Sequence, residues 1–335
     1  SESNARPLFI QFMEQVDYYS IEELKVQGDT PFRCELTGEN AIDVGGPGRE
    51  VFSSLITEMM NEHIGVFTYN ANRRHKIIDT NQEDLIPNKF LIGDVYQYDQ
   101  NENFNSQNHF YDESSTRFVY AGALIAICIV SELPQPMKLA SFVWEFLALE
   151  KVSIENVFKV DNNFKTLIEK AENLLNRINS ITNEQFEIEF NHMFDIRDSF
   201  DNVVELILSG SKTQVTKENL AEFIELAKNF RIHEFDQQLK EINEGFNKIM
   251  CYKEITRILT PHELMLLACG ESNCTVEQMK KVIVVAVNDH SLSNEEKDNK
   301  IKMFWNVMES LTPDERMMFI KFSSGNLGPP PLHLT

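Results

Sequence analysis

Residues 45–48 read Gly-Gly-Pro-Gly and run directly into a helical pattern. Gly45, Gly46 and Gly48 admit positive φ or a close backbone approach and Pro47 fixes its own φ, so the segment predicts a tight, preset turn. From Val51 onward, Val51, Leu55 and Met59, with Phe52 and Ile56, recur four apart and share one helical face. The turn therefore aims a helix at a core. A glycine cluster ahead of a helix can also cradle phosphate. No Gly-Lys-Ser/Thr follows to reach a phosphate or hold magnesium, however, and the spacing is not that of a dinucleotide fingerprint.

Helices dominate the remaining pattern. Ser20 with Glu23, Thr260 with Glu263, Thr275 with Gln278, and Thr312 with Glu315 form capping boxes, and Pro261 and Pro313 follow two of them at the first helical position. From Glu234 to Ile249 a single apolar stripe is expected, because Phe235, Leu239, Ile242, Phe246 and Ile249 alternate four and three apart. Phe118 to Val130 is more uniformly apolar and predicts a buried helix. Strands are expected at Phe32–Leu36, Phe186–Phe190 and Val203–Leu208, the last two forming a small antiparallel sheet. Asp99–Ser115, rich in Asn, Asp, Gln and Ser, reads as an exposed loop. Short elements between residues 151 and 215 suggest a small subdomain inserted into a helical body of 1–150 and 216–309. Ser310-Leu-Thr-Pro313 reads as a hinge opening a further segment, 310–335. The expected class is α+β, mainly helical.

At 335 residues with 42% hydrophobic content, the chain can bury one large core or two smaller ones. Its 52 acidic and 31 basic residues give a formal charge of -21, which opposes binding to nucleic acid or to an anionic membrane. Acidity fits a basic protein partner and plain solubility about equally. The five cysteines, Cys34, Cys128, Cys251, Cys269 and Cys274, contain no Cys-x-x-Cys, and neither a disulfide framework nor structural zinc is expected. The eight histidines lack the i, i+4 pairing that metals favour, so neither metal nor cofactor is expected. The longest apolar run, Phe118 to Val130, is shorter than the roughly 18 residues that span a bilayer, and no signal-peptide pattern is present. A cytoplasmic, alternatively nuclear, protein is expected.

Gly38-Glu39 followed by Asp43-Val-Gly-Gly-Pro-Gly-Arg-Glu-Val-Phe52 resembles the opening of a HECT ubiquitin-ligase domain. Further motifs follow in that family's order. They are Phe67-Thr-Tyr-Asn70, Phe118-Val-Tyr-Ala-Gly-Ala-Leu-Ile-Ala-Ile127, Thr216-Lys-Glu-Asn219, Phe230-Arg-Ile-His-Glu-Phe-Asp-Gln-Gln-Leu239 and Glu244-Gly-Phe246. Leu259-Thr-Pro-His-Glu-Leu-Met-Leu-Leu-Ala-Cys-Gly270, Met303-Phe-Trp305 and Phe319-Ile-Lys-Phe-Ser-Ser-Gly325 complete the series, and the resemblance runs from about residue 20 to 328. Arg231 to Leu239 and Pro136 to Leu149 look most like the large multidomain ligases of the family.

The resemblance implies a HECT N-lobe, a helical body with an inserted small α/β subdomain, followed by a truncated C-lobe. It implies a transferase that takes ubiquitin from a ubiquitin-conjugating enzyme onto a cysteine thiolate as a thioester, then passes it to a lysine of a protein substrate. It places the conjugating enzyme on the inserted subdomain, and the matching apolar residues are Leu167, Ala171, Leu174, Leu239 and Ile242; by helical spacing alone the same residues read equally well as subdomain core. The chain departs from the family at its nucleophile. No cysteine occurs after Cys274, and Pro331-Leu-His-Leu-Thr335 matches the Pro-x-x-x-Thr that precedes the catalytic cysteine. The nucleophile is thus expected after Thr335 or is absent, and the chain as it stands is expected to bind rather than transfer. The alternative is a non-catalytic helical interaction module or adaptor. The five cysteines present read as structural.

Overall fold

In the computed structural model the helix aimed by the glycine-rich junction begins inside that junction. Helix α2 spans Gly46–Met59, so Gly46, Pro47 and Gly48 form its first turn rather than a turn ahead of it. The reason is local: a first-turn proline lacks only an N–H that the helix would leave unsatisfied. The structure describes residues 6–16, 18–24, 46–78, 81–90, 113–250, 258–271, 275–288 and 291–324. Gly45, the strand expected at Phe32–Leu36, and Asp99 to residue 112 of the expected loop lie outside them. Residues 113–115 of that loop belong instead to helix α4, Glu113–Val130.

The chain divides into two compact units, one of Ser1–Met59, Val119–Met137 and Glu244–Thr335, the other of Met60–Phe118 and Lys138–Asn243. In the first, α1 (Leu8–Gln15) packs on α2, and the Phe9 amide donates to Glu58 Oε2 at 2.8 Å. Ser20 and Glu23 do not make the expected capping box, because both lie within a 3-10 helix, Tyr18–Leu24. The apolar run Phe118–Cys128 of α4 is buried, as its composition predicts. Towards the end of this unit come α11 (Pro261–Cys269), α12 (Val276–Val282), α13 (Asn294–Ser310) and α14 (Pro313–Ser324). The boxes Thr260/Glu263, Thr275/Gln278 and Thr312/Glu315 cap three of them, and Ser293 with Glu296 caps the fourth. Val276, Met279, Met308 and Ile320 form one buried cluster that includes a residue on each side of the Leu311-Thr312 link.

The second unit holds two small antiparallel sheets. Strands β1 (Phe67–Tyr69) and β2 (Leu85–Pro87) pair with Thr68 opposite Ile86, and α3 (Ala71–Arg74) follows β1. Strands β3 (Asp195–Arg197) and β4 (Val203–Glu205) pair with Ile196 opposite Val204. Between the sheets in sequence come α5 (Ser141–Leu149), α6 (Ile154–Val160), α7 (Asn162–Asn176) and α8 (Asn183–Glu189). Phe186–Phe190, expected as a strand, lies on α8 and its C-cap. The Thr182 side chain and Gln185 form a full capping box there, and Phe186 and Phe190 are buried while Ile188 is 84% exposed. Four-residue spacing thus explains the two phenylalanines, and the partner of β4 is β3 instead.

Helix α9 (Leu220–His233) packs on α6 and α7 and supplies Leu220, Phe223, Ile224 and Ala227 to the same core as Phe164, Ile168, Ala171 and Leu174. That core therefore continues past residue 215. Helix α10 (Asp236–Ile249) carries the expected stripe, with Phe235, Leu239, Ile242, Phe246 and Ile249 all buried.

Candidate partner-binding site

Six ionisable side chains converge on the turn between β3 and β4. Arg231, in the last turn of α9 and 2% exposed, donates through Nη1 to Asp161 Oδ2 at 2.7 Å and through Nη2 to Ser199 Oγ at 2.9 Å. Its Nε lies 2.8 Å from Glu234 Oε2. Lys89 donates to Asp198 Oδ2 at 2.7 Å and to Glu234 Oε1 at 3.0 Å. Arg74 Nη1 donates to the Ser199 carbonyl at 2.7 Å. Three cations and three carboxylates thus share one interior, the arrangement in which buried charge is tolerated.

Asp198 also builds the turn, since its Oδ1 accepts from the Phe200 and Asn202 amides at 2.8 and 2.9 Å. Burial alone would raise its carboxyl. The hydrogen bonds from Lys89, Asn202 and the two amides outweigh that and hold it below the ordinary aspartate value. Phe200 sits beneath Arg74, whose guanidinium is 4.3 Å from the ring centroid. The β3–β4 turn is therefore fixed to α9, α3 and the end of β2.

The five apolar residues nominated for conjugating-enzyme contact are not brought together as a surface. Ala171, Leu174, Leu239 and Ile242 are each 1% exposed or less, so they offer a partner no area in this conformation. Ala171 and Leu174 face the core that α9 fills with Phe223 and Ala227, and an ion pair between Lys228 and Glu172 joins the rims of α7 and α9. Leu239 and Ile242 lie on the buried stripe of α10, outside that cluster. Leu167 alone is half-buried, and it borders an open cavity beside β3.

Other apolar side chains of this unit do face outward. Val203 is 55% exposed on β4, Ile188 stands out from α8, and Leu208 is 95% exposed. Leu208 belongs to a loop pressed on the backbone of Phe194, whose amide donates to the Gly210 carbonyl at 3.0 Å. A Cβ on Gly210 would come within 2.3 Å of the Phe194 carbonyl oxygen, so the loop closes only around glycine there. Sequence reading missed Leu208 because it continues the apolar run of a strand; the Ser209-Gly210 step after it was the available sign of a turn.

Cys128 is fully buried, and burial pushes its thiol well above the ordinary range. Burial likewise pushes Cys269 up to about 12, although its Sγ lies 3.6 Å from the Met137 carbonyl. Neither is an activated nucleophile. Cys34, Cys251 and Cys274 lie outside the described residues. Among the described residues no group of three His, Cys, Asp or Glu side chains is placed to hold a metal ion, and no helix is long and apolar enough to cross a membrane.

A family model described as HECT-domain (ubiquitin-transferase) matches residues 53–334. Human E3 ubiquitin-protein ligase HERC2 is 30% identical over 294 residues, 88% of this chain and 5% of HERC2. E3 ubiquitin-protein ligase pub3 of Schizosaccharomyces pombe is 22% identical over 95% of this chain and 35% of its own length. E3 ubiquitin-protein ligase etc-1 of Caenorhabditis elegans is 24% identical over 86% of this chain and 26% of its own length. The chain thus spans about a third or less of each of these relatives.

Proposed function

This chain belongs to the HECT-domain ubiquitin-transferase family, and from that membership we propose that it is the part of a ubiquitin-protein ligase that docks a ubiquitin-conjugating enzyme. The whole protein, in this reading, takes ubiquitin from that enzyme onto a cysteine thiolate as a thioester and passes it to a substrate lysine. The observation that carries the reading is the extent of the family match, which runs from α2 through α14. Docking is the part of that activity assigned to the residues described. Among the described cysteines, burial raises the Cys128 and Cys269 thiols, which suits structural rather than nucleophilic positions.

Docking is assigned to the subdomain around α7, α8 and the β3–β4 sheet. Its accessible residues are Leu167, Ile188, Val203 and Leu208, in place of the buried members of the nominated set. Titrating labelled chain with a panel of ubiquitin-conjugating enzymes should shift resonances of this subdomain for at least one of them, with the weak affinity that suits a handover complex. If no enzyme of the panel causes any shift, the docking reading falls and a non-catalytic adaptor is the better description.

A further inference from the structure

Residues 283–288 leave α12 as extended chain and read Ile-Val-Val-Ala-Val-Asn, a composition dominated by β-branched side chains and suited to a strand. Burial alternates as it does along a strand. Ile283, Val285 and Val287 are half-buried, whereas Ala286 and Asn288 are exposed and Val284 is 92% exposed. Ile283 packs on the cluster of Val276, Met279, Met308 and Ile320, which fixes the inward face.

The segment nevertheless pairs with no strand. The Ile283 amide closes α12 on the Met279 carbonyl at 2.8 Å, and among the described residues no backbone N–H or carbonyl of 284–288 has a hydrogen-bond partner. An apolar edge of this kind is a template for another strand, and folded chains usually cover it or blunt it with proline or charge. Within 283–288 there is neither proline nor a charged side chain.

The flanking charges select the occupant. Lys281 stands four residues before Val285 and Asp289 four residues after it. Lys281 is exposed, whereas Lys280 beside it is paired with Glu309 at 3.3 Å. Antiparallel pairing sets the start of one strand beside the end of the other. Two copies paired about Val285 therefore match Ile283 with Val287 and Val284 with Ala286, and bring Lys281 of each to Asp289 of the other. Parallel pairing would instead oppose Lys281 to Lys281.

We propose that this edge pairs antiparallel with the same edge of a second copy of the chain, forming a two-fold symmetric dimer. The inference goes beyond the docking reading and does not depend on it. The ladder is short, so the dimer is weak. In about 0.15 M salt, charges more than about 8 Å apart are screened, which limits repulsion between copies that each carry a formal charge of -21.

The test is sedimentation velocity and amide hydrogen exchange of the full chain, from about 10 µM to about 500 µM in about 0.15 M salt. Dimerisation is expected across this range, with alternate amides among residues 284–288 exchanging freely when dilute and protected when concentrated. Lys281→Glu and Asp289→Lys should each weaken the dimer about tenfold, since each breaks both symmetric contacts, and the double variant should restore it. Val284→Pro combined with Val285→Pro takes a donor from each edge, breaks no hydrogen bond of the chain's own, and should leave a monomer. A chain monomeric throughout, or amides already protected when dilute and so paired within their own chain, would overturn the proposal. So would a dimer whose 284–288 amides stay unprotected, single charge variants as tight as the parent, or a double charge variant no tighter than the singles.

Discussion

The Arg231 guanidinium lies 2.7 Å from the Asp161 carboxylate, and the bond ties the last turn of α9 to the residue that caps α7. Arg231 also reaches Ser199 and Glu234, so it serves three directions at once from a site sealed from water. Arg231→Met should destabilise the chain by about 3–5 kcal/mol, because Asp161 and Glu234 would remain charged and buried with too few partners. Arg231→Lys should recover little of it, since an ammonium lacks the planar fork that spans those positions. Urea unfolding of the three proteins checks this.

Asp198 makes stability depend on acid. Its carboxyl titrates below the ordinary value when folded, so its contribution is complete above the unfolded value of about 4 and is lost as pH falls through the folded one. Asp198→Asn should lower stability at pH 7 by about 1–3 kcal/mol and flatten the decline below pH 4. Unfolding curves at both pH values measure the difference; parallel declines in variant and parent would assign the acid sensitivity to other carboxylates.

Gly245 lies within α10, where alanine ordinarily gains about 1 kcal/mol over glycine. A Cβ there would come within 1.7 Å of the Val119 carbonyl oxygen and 3.0 Å of the Ala123 amide nitrogen. The sign should therefore reverse, and Gly245→Ala should cost about 1–3 kcal/mol through displaced backbone. Thermal melting reads the sign directly.

With its thiol pushed up to about 12, Cys269 should be about one part in 10⁴ thiolate at pH 8. Iodoacetamide should leave Cys269 and Cys128 unmodified in the native chain and alkylate both after denaturation. Mass spectrometry after short exposure tests it. Recovery of ubiquitin in thioester linkage to either residue would contradict the structural role of these two cysteines.

Most helices were legible because their signals are local. Thr260, Thr275 and Thr312 each find a Glu or Gln three residues on, and the α10 stripe needs only its own spacing. Phe186–Phe190 misled because a spacing of two on a strand and of four on a helix both include its ends. The exposed Ile188 between them carries the distinction, and exposure is a tertiary fact. Leu167, Ala171 and Leu174 do share a helical face, but spacing says only that a face is covered, not whether α9 or another protein covers it. The cluster around Arg231 was not legible at all, since its members come from five separate stretches of sequence and none forms a motif alone.

The two-residue link Leu311-Thr312 bears on what a bend between α13 and α14 would cost. Met308 before it and Ile320 after it belong to one buried cluster, and the Thr312–Glu315 box fixes where α14 starts. Pivoting at this link would expose both side chains, at about 3–6 kcal/mol for the pair. A bend at this joint therefore costs burial, and it couples to loosening of the cluster that also holds Val276 and Met279.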